Sequence, residues 1–408
     1  MSRATDLAPS LDAAPGGDAP RTLAVTGLNH ALHDGYTDLI YVLLPVWQAE
    51  FGLGYVALGL LRTLYSGTLA ALQIPSTRLG QHLGARAVLA LGTLLSAGGY
   101  ALAGASGGLA GLCVGLALGG AGSSTQHPLA SAVIARAYGR GARGPLGTYN
   151  FTGDIGKAAV PPLVGFLLTV WDWRAALWLI AGLGVLVAAA VGLLLPNAAA
   201  PGAEARRAAA PARHGGAEAG RSGFGLLVAI GILDNAARPA FLIYLPFLLQ
   251  EKGASLTTVG LALSLTFAGG ALGKAVCGRL GERLGVTRTV ILTEVGTAAM
   301  VLAVIALPLA PALAVLPVLG LMLNGTSSVL YGTVPELAPG GRVERAFALF
   351  YTWTLGGSAL AVPLLYGRLG DAVGPHGAAM AAAATALAVV PLMLALAPRL
   401  HGRAAPPI

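Results

Sequence analysis

Leu28-Asn29-His30-Ala31-Leu32-His33-Asp34-Gly35-Tyr36-Thr37-Asp38-Leu39-Ile40-Tyr41 lies in an apolar run from about Leu23 to Trp47, long enough to cross a bilayer. Two carboxylates and two imidazoles in such a span are costly against lipid, so they are expected to face inward. At 3.6 residues per turn, His30, Asp34, Asp38 (or Thr37) and Tyr41 fall along one helical face. What this polar stripe faces is the functional question.

The surrounding chain has 408 residues, 55% hydrophobic and 10% charged. A soluble domain carries about 25% charged residues, so this is an integral membrane protein. Its 59 glycines suit close packing of membrane helices. The formal charge of +8 sits in short loops between apolar spans and reads as a topology signal, so no nucleic-acid partner is expected. Cys113 and Cys277 fall inside spans, which argues against a disulfide framework or a cysteine metal site. No cofactor and no metal are expected. Residues 1–21 lack the apolar core of a cleaved signal peptide, so the first span stays as an anchor. Abundant Ala and the excess of Arg over Lys point to a GC-rich bacterial genome, hence a bacterial cytoplasmic (inner) membrane.

Apolar segments of roughly 20 residues occur near 23–47, 56–76, 86–105, 108–135, 145–170 and 174–196. Six more follow near 223–249, 257–277, 288–309, 311–334, 345–367 and 376–397. The reading is a tail (1–22), a six-helix bundle (23–196), an Ala/Gly/Arg-rich linker (197–222), a second six-helix bundle (223–397) and a tail (398–408). Tails and linker are placed on the cytoplasmic side. With both termini there, only Arg174, Lys252 and Arg368 fall on the opposite side, and Arg62, Lys157, Arg238 and Lys274 lie within spans. The remaining Lys and Arg are cytoplasmic, as the positive-inside rule requires.

The two halves repeat each other. Asp34 aligns with Asp234, Gly59 with Gly260 and Gly84 with Gly285. Arg143 aligns with Arg345, Tyr149 with Tyr351, Thr152 with Thr354 and Pro161 with Pro363. The offset creeps only from 200 to 202. Parallel six-helix repeats are a transporter architecture with the substrate site near the midplane, where the halves meet.

Gly278-Arg279-Leu280-Gly281-Glu282-Arg283-Leu284-Gly285-Val286-Thr287-Arg288 reads as a basic loop between two spans. It closely resembles the loop signature of the major facilitator superfamily. Its counterpart, Thr77-Arg78-Leu79-Gly80-Gln81-His82-Leu83-Gly84-Ala85-Arg86, departs from the signature at Gln81, where the family usually has Asp. The resemblance implies an all-α membrane protein with twelve transmembrane helices in two six-helix bundles. It also implies alternating access, with Gly278, Glu282, Arg283, Gly285 and Arg288 as a gating loop. Gly122-Ser123-Ser124-Thr125-Gln126-His127-Pro128, followed by Ala130 and Ser131, resembles the fourth-helix segment of the fosmidomycin-resistance branch. Arg143-Gly144 with Gly147, Gly153 and Gly156 matches that branch's next element, whereas Val160-Pro161 replaces the Gly-Pro of drug/proton antiporters. This finer likeness implies export of a small, polar, anionic compound.

Four carboxylates near the midplane (Asp34, Asp38, Asp154, Asp234) face three cations (Arg62, Lys157, Arg238), leaving one negative charge in excess. A carboxylate without a partner takes up a proton rather than stay ionised. Asp34, Asp38, Asp154 and His30 are therefore the proton-coupling candidates. Arg238, Lys157 and Arg62, with Tyr41, Asn150, His127, Asp234 and Asn235, are the substrate-binding candidates. Lys274 and Glu294 read as a structural pair, and Trp47, Trp171 and Trp173 as headgroup anchors. The function expected is proton-coupled secondary transport by a monomer, as an antiporter exporting a small polar or anionic compound. Its partners are that solute, protons and the bilayer. The alternatives are a symporter taking up an organic acid, a passive channel, or a polytopic enzyme using His30, His33, Asp34 and His127. No His-x-x-x-His spacing supports the enzyme.

Overall fold

A computed structural model describes residues 17–196, 220–339 and 343–401. Most of the expected linker, most of the N-terminal tail and the end of the C-terminal tail lie outside the described residues. All regular structure within them is helical. In chain order the helices are α1 (Ala19–Phe51), α2 (Tyr55–Leu83), α3 (Ala85–Ala105), α4 (Leu109–Ser123) and α5 (Gln126–Tyr138). Next come α6 (Arg143–Val170), α7 (Trp173–Leu194), α8 (Gly220–Glu251), α9 (Leu256–Leu284) and α10 (Val286–Ala306). The last are α11 (Leu309–Thr333), α12 (Val343–Ala361) and α13 (Arg368–His401), with a π-helical turn at Val362–Gly367 between α12 and α13.

Among the described residues, nine helices are long and apolar enough to cross a membrane. The 33-residue α1 is not one of them, because its polar stripe lowers its hydropathy. Yet its second half is almost wholly buried, with Leu39, Ile40, Val42, Leu43, Leu44 and Trp47 all at 0% exposure.

The span expected at 108–135 is broken between Ser123 and Gln126. Pro128 has no N–H to return to Ser124, so the ladder is interrupted there. The segment expected to be a loop at 278–288 is helix on both sides. Gly278, Glu282 and Arg283 belong to the last turns of α9 and Arg288 to the first turn of α10, with only Gly285 between. Gly285 has φ 80° and its repeat counterpart Gly84, joining α2 to α3, has φ 84°. L-residues avoid this region, so the two halves use the same glycine-dependent turn. Near the C-terminus Pro363 falls in the π turn, and the helix run breaks again at Gly374, with φ 76° and ψ 178°.

The described helices gather into two compact units. One holds residues 17–37, 68–156 and 174–196; the other holds 38–67, 157–173 and the described part of 220–401. In the first unit α3 and α4 cross on glycines: a methyl on Gly99 would sit 2.5 Å from the Gly115 carbonyl oxygen. Without a hydrophobic drive between helices in lipid, such close backbone approach is what holds them. The outer face of α7 leaves Leu186 69% and Leu193 73% exposed, as a lipid-facing surface does.

In the second unit the repeat becomes contact. Gly59 on α2 packs on Pro363, and Gly260 on α9 packs on Pro161 and Pro162 of α6. The partners are the aligned residues of the repeat, exchanged. Beside them the Asp371 carboxylate accepts from the Tyr55 and Val56 backbone N–H groups at 2.5 and 3.3 Å, capping α2 from a distant part of the chain. Trp47 and Trp173, expected as headgroup anchors, are instead buried. Their rings meet edge to face, and the Trp173 indole N–H donates to Glu50. Trp171 is 49% exposed.

Candidate functional site

The break after α4 brings Gln126 and His127 to the start of α5, opposite α1 in the first unit. The Asn29 amide donates to Gln126 Oε1 at 2.6 Å, and the Gln126 amide donates to the Thr26 carbonyl and the Tyr149 hydroxyl, both at 3.3 Å. Thr93 donates to Asn29 Oδ1 at 2.9 Å. These polar groups satisfy one another, as burial demands. His33 belongs to the same network. Its Nδ1 lies 2.8 Å from the Ser123 hydroxyl and its Nε2 3.0 Å from Thr93 Oγ1. Because Thr93 spends its proton on a carbonyl oxygen, His33 donates from Nε2 and accepts at Nδ1. His33 thus joins α1 to α3 and α4 and has no ring nitrogen left for chemistry.

His30 is placed differently. Its Nδ1 stands 2.7 Å from the Tyr149 carbonyl oxygen, so that nitrogen is the donor. Its ring stacks on Tyr149 at 4.1 Å and meets His127 edge to face at 5.0 Å. Nε2 then faces Asp34, 3.4 Å from Oδ2, with no hydrogen-bond partner. His127 Nε2 lies 3.8 Å from Asp34 Oδ1. Gly153 makes room for this cluster: a methyl there would lie 2.5 Å from Asp34 Oδ2 and 2.8 Å from His30 Nε2. Asp154 follows it, buried, and Asn150 is exposed one turn earlier.

Asp38, one turn beyond Asp34, joins the second unit and a different partner. Arg62 Nη2 lies 3.5 Å from Asp38 Oδ1, and the guanidinium sits 4.9 Å over the Tyr41 ring. Arg62 is 9% exposed, and its Nε and Nη1 have no acceptor. A buried donor left unmade costs about 1–3 kcal/mol, more for a charged group. Tyr41 is also within electrostatic reach of Arg238.

On α8, Asp234 interacts with Arg238 and hydrogen-bonds Glu294 of α10, which also bonds Thr326. Arg238 donates from Nη1 to Asn324 Oδ1 at 2.8 Å. Asn235 bonds Tyr331, and with Asp234, Ser327 and Phe350 these line a narrow cleft. Lys157 is half-buried in the second unit, whereas Gly278, Glu282, Arg283 and Arg288 are exposed.

Sequence reasoning joined Asp34 and Asp38 as one pair; each has its own cluster. It missed Gln126 and Asn324 as network residues, although both are amides in apolar surroundings, and that was the available signal. It also missed the acidic neighbours Asp234 and Glu294, which only the rotation of α8 and α10 brings together. Expecting no metal cluster rested on spacing along the chain. The fold brings His30, Asp34 and His127 together, their ligand atoms all within 4.8 Å.

The family model described as Major Facilitator Superfamily matches residues 26–229 and, a second time, residues 225–407. The chain belongs to the major facilitator superfamily. Solved structures of similar fold include a bacterial homolog of the human lysosomal transporter Spinster, in an inward-facing, unoccupied conformation. It has a TM-score of 0.79 at 13% identity, covering 96% of this chain and 100% of that one. A POT family transporter in complex with 5-aminolevulinic acid has a TM-score of 0.73 at 12% identity, covering 93% and 96%. A POT peptide transporter in complex with sulfate has a TM-score of 0.74 at 17% identity, covering 94% and 95%. Direct sequence comparison with curated proteins gives no match. As a member of the major facilitator superfamily the protein is a multi-pass membrane secondary transporter and not an enzyme.

Proposed function

We propose that this transporter moves a small organic anion coupled to protons, with Arg62 as the anion's principal contact. The observation carrying this reading is the buried Arg62 guanidinium, whose Nε and Nη1 have no acceptor. A carboxylate, phosphonate or phosphate oxygen meets that need with strong charge-assisted bonds. Tyr41, Arg238, Lys157, Asn150, His127, Asp234 and Asn235 are the remaining substrate contacts in this reading. Asp38 carries the coupled proton, with His30, Asp34 and Asp154 as the further acidic and imidazole groups of the path.

The sign of coupling follows from competition. Anion and Asp38 carboxylate compete for Arg62, so protonating Asp38 favours anion binding, and both then cross together. That is symport. Proton antiport with efflux, the sense drawn from the likeness to the fosmidomycin-resistance branch, requires the solute to displace a proton. The His30–Asp34 contact is where it would do so.

The rest of the reading is twelve spans in two six-helix bundles (23–196 and 223–397), in a monomer working by alternating access. Both termini are cytoplasmic in a bacterial inner membrane, and the exposed Gly278–Arg288 junction acts in gating. With that topology the Gly59–Pro363 and Gly260–Pro161 contacts lie on the outer side.

The test is a thermal-shift screen of purified protein against small phosphonates, carboxylates and antibiotics, since a ligand that binds the folded state raises stability by mass action. Anions are expected to stabilise wild type and not Arg62→Gln. Stabilisation by bulky hydrophobic cations alone overturns the anion assignment. Flux of the hit in proteoliposomes, with the pH gradient set in either direction, separates symport from antiport.

A further inference from the structure

We propose that His30, Asp34 and His127 form a binding site for a divalent transition-metal ion. These three residues also figure in the anion reading, but the metal site needs neither Arg62 nor Asp38, so zinc titration and the anion screen can each fail without the other.

The Tyr149 carbonyl fixes the tautomer of His30. A carbonyl oxygen only accepts, so the 2.7 Å contact with Tyr149 requires a proton on Nδ1. In a neutral ring Nε2 is then a bare lone pair. It is aimed at a carboxylate oxygen 3.4 Å away, from a side chain only 3% exposed, and has no hydrogen-bond partner. Two acceptors facing each other in a buried place call for a cation between them.

A proton would satisfy that pair, but the geometry offers a third ligand. His127 Nε2 reaches within 3.8 Å of the other Asp34 oxygen, and the three ligand atoms lie within 4.8 Å of one another. In a tetrahedral zinc site, metal–ligand bonds of about 2.0–2.2 Å separate the ligands by roughly 3.3–3.6 Å. Small side-chain rotations bring these three atoms to that spacing. Two imidazoles and one carboxylate select transition metals over magnesium or calcium, which prefer all-oxygen sites.

The surroundings match as well. A metal-bound imidazole commonly donates its other N–H to a carbonyl, fixing its tautomer, and the Tyr149 carbonyl already accepts from His30. Gly153 supplies the space, since any side chain there would press on Asp34 and His30. The His127 side chain is 44% exposed, which gives an ion a way in. Three protein ligands leave a fourth position open for water or for a donor atom of a solute.

The test is isothermal titration of zinc chloride into the full-length protein, purified on a tag without histidine and stripped with chelator. Wild type is expected to bind one equivalent. His127→Gln and His30→Gln should each weaken binding by at least about tenfold. His82→Gln and His376→Gln, away from the cluster, should leave it unchanged. Zinc-edge absorption spectra should report two imidazoles and oxygen in the first shell. His127→Gln changes a half-exposed side chain, so an unaltered melting temperature separates lost binding from misfolding. Absence of stoichiometric zinc binding, or binding unaltered in His127→Gln, overturns the site and leaves the cluster to a proton alone.

Discussion

Gly59 and Pro363 touch backbone to backbone: a methyl group on the glycine would stand 3.0 Å from the proline Cα. Gly260 makes the equivalent approach to Pro161 and Pro162, where the same methyl would stand 2.7 Å from the Pro161 carbonyl oxygen and from the Pro162 Cα. Each contact joins a helix of one half to a proline of the other, and the repeat exchanges one contact for the other. A proline ring and its backbone yield less than a flexible side chain, so neither approach tolerates bulk.

From this comes an ordered prediction for substitutions. Gly260→Ala is expected to destabilise more than Gly59→Ala, because its methyl meets the closer backbone. Leucine at either position should cost about 1–3 kcal/mol by overpacking. Melting temperatures in one detergent compare the four variants; equal stability of the two alanine variants would contradict the order.

Arg62 and Asp38 are separable by substitution. Arg62→Lys keeps the charge but loses the planar fork, and is expected to weaken anion binding by about tenfold or more. Asp38→Asn leaves Arg62 without its carboxylate competitor, so it should bind the anion as tightly as wild type or more tightly. Driving by a pH gradient should be lost in that variant. Anion counterflow, which needs no gradient, together with gradient-driven flux reads both effects. Full gradient driving in Asp38→Asn would remove this residue from the coupling scheme.

Asp371 caps α2 from the far end of the chain, and a lost cap costs about 0.5–2 kcal/mol. Asp371→Ala should lower the melting temperature and speed hydrogen exchange at the Tyr55 and Val56 amides. Asp371→Asn, which keeps an accepting oxygen, should fall between it and wild type. Unchanged exchange at both amides in the alanine variant would mean the cap is idle.

Two glycines of α6 predict opposite outcomes. Gly153→Ala drives a methyl into Asp34 and His30, so it should destabilise the fold and disturb the cluster. Gly147→Ala meets nothing within 4 Å and should be neutral or stabilising by up to about 1 kcal/mol, as helix glycine replacements are. Melting curves of the two variants, side by side, check the contrast.

His33 and His30 are three residues apart on one helix and could not be told apart by composition. His33→Ala strands the Ser123 and Thr93 hydroxyls and should cost about 1–3 kcal/mol of stability. Transport per folded molecule should persist. A transport defect without a stability defect would reassign His33 to the path.

Much of the architecture was open to direct reading. The all-helical membrane character, nine apolar spans among the described residues and the repeat of Asp34 with Asp234 or Pro161 with Pro363 depend on local hydropathy and order along the chain. The junction at Gly285 was legible as a turn but not its brevity, because arginine and glutamate in the last turn of a helix look the same as in a loop. The breaks after Ser123 and at Gly374 are each followed within five residues by a proline, but proline is also tolerated inside membrane helices, as Pro45 is in α1.

The sequence alone determined that this protein lives in a bilayer, that its halves repeat, and that ionisable groups lie inside its apolar spans. Charge is expensive in lipid and hydropathy is a sum over neighbours in the chain, so both are local quantities. Only the tertiary structure decided who meets whom: Asp34 with His30 and His127, Asp38 with Arg62, Asp234 with Glu294. Those meetings depend on how far each helix is rotated and slid against the next. That is set by close approaches such as Gly153 to Asp34, which no stretch of sequence contains.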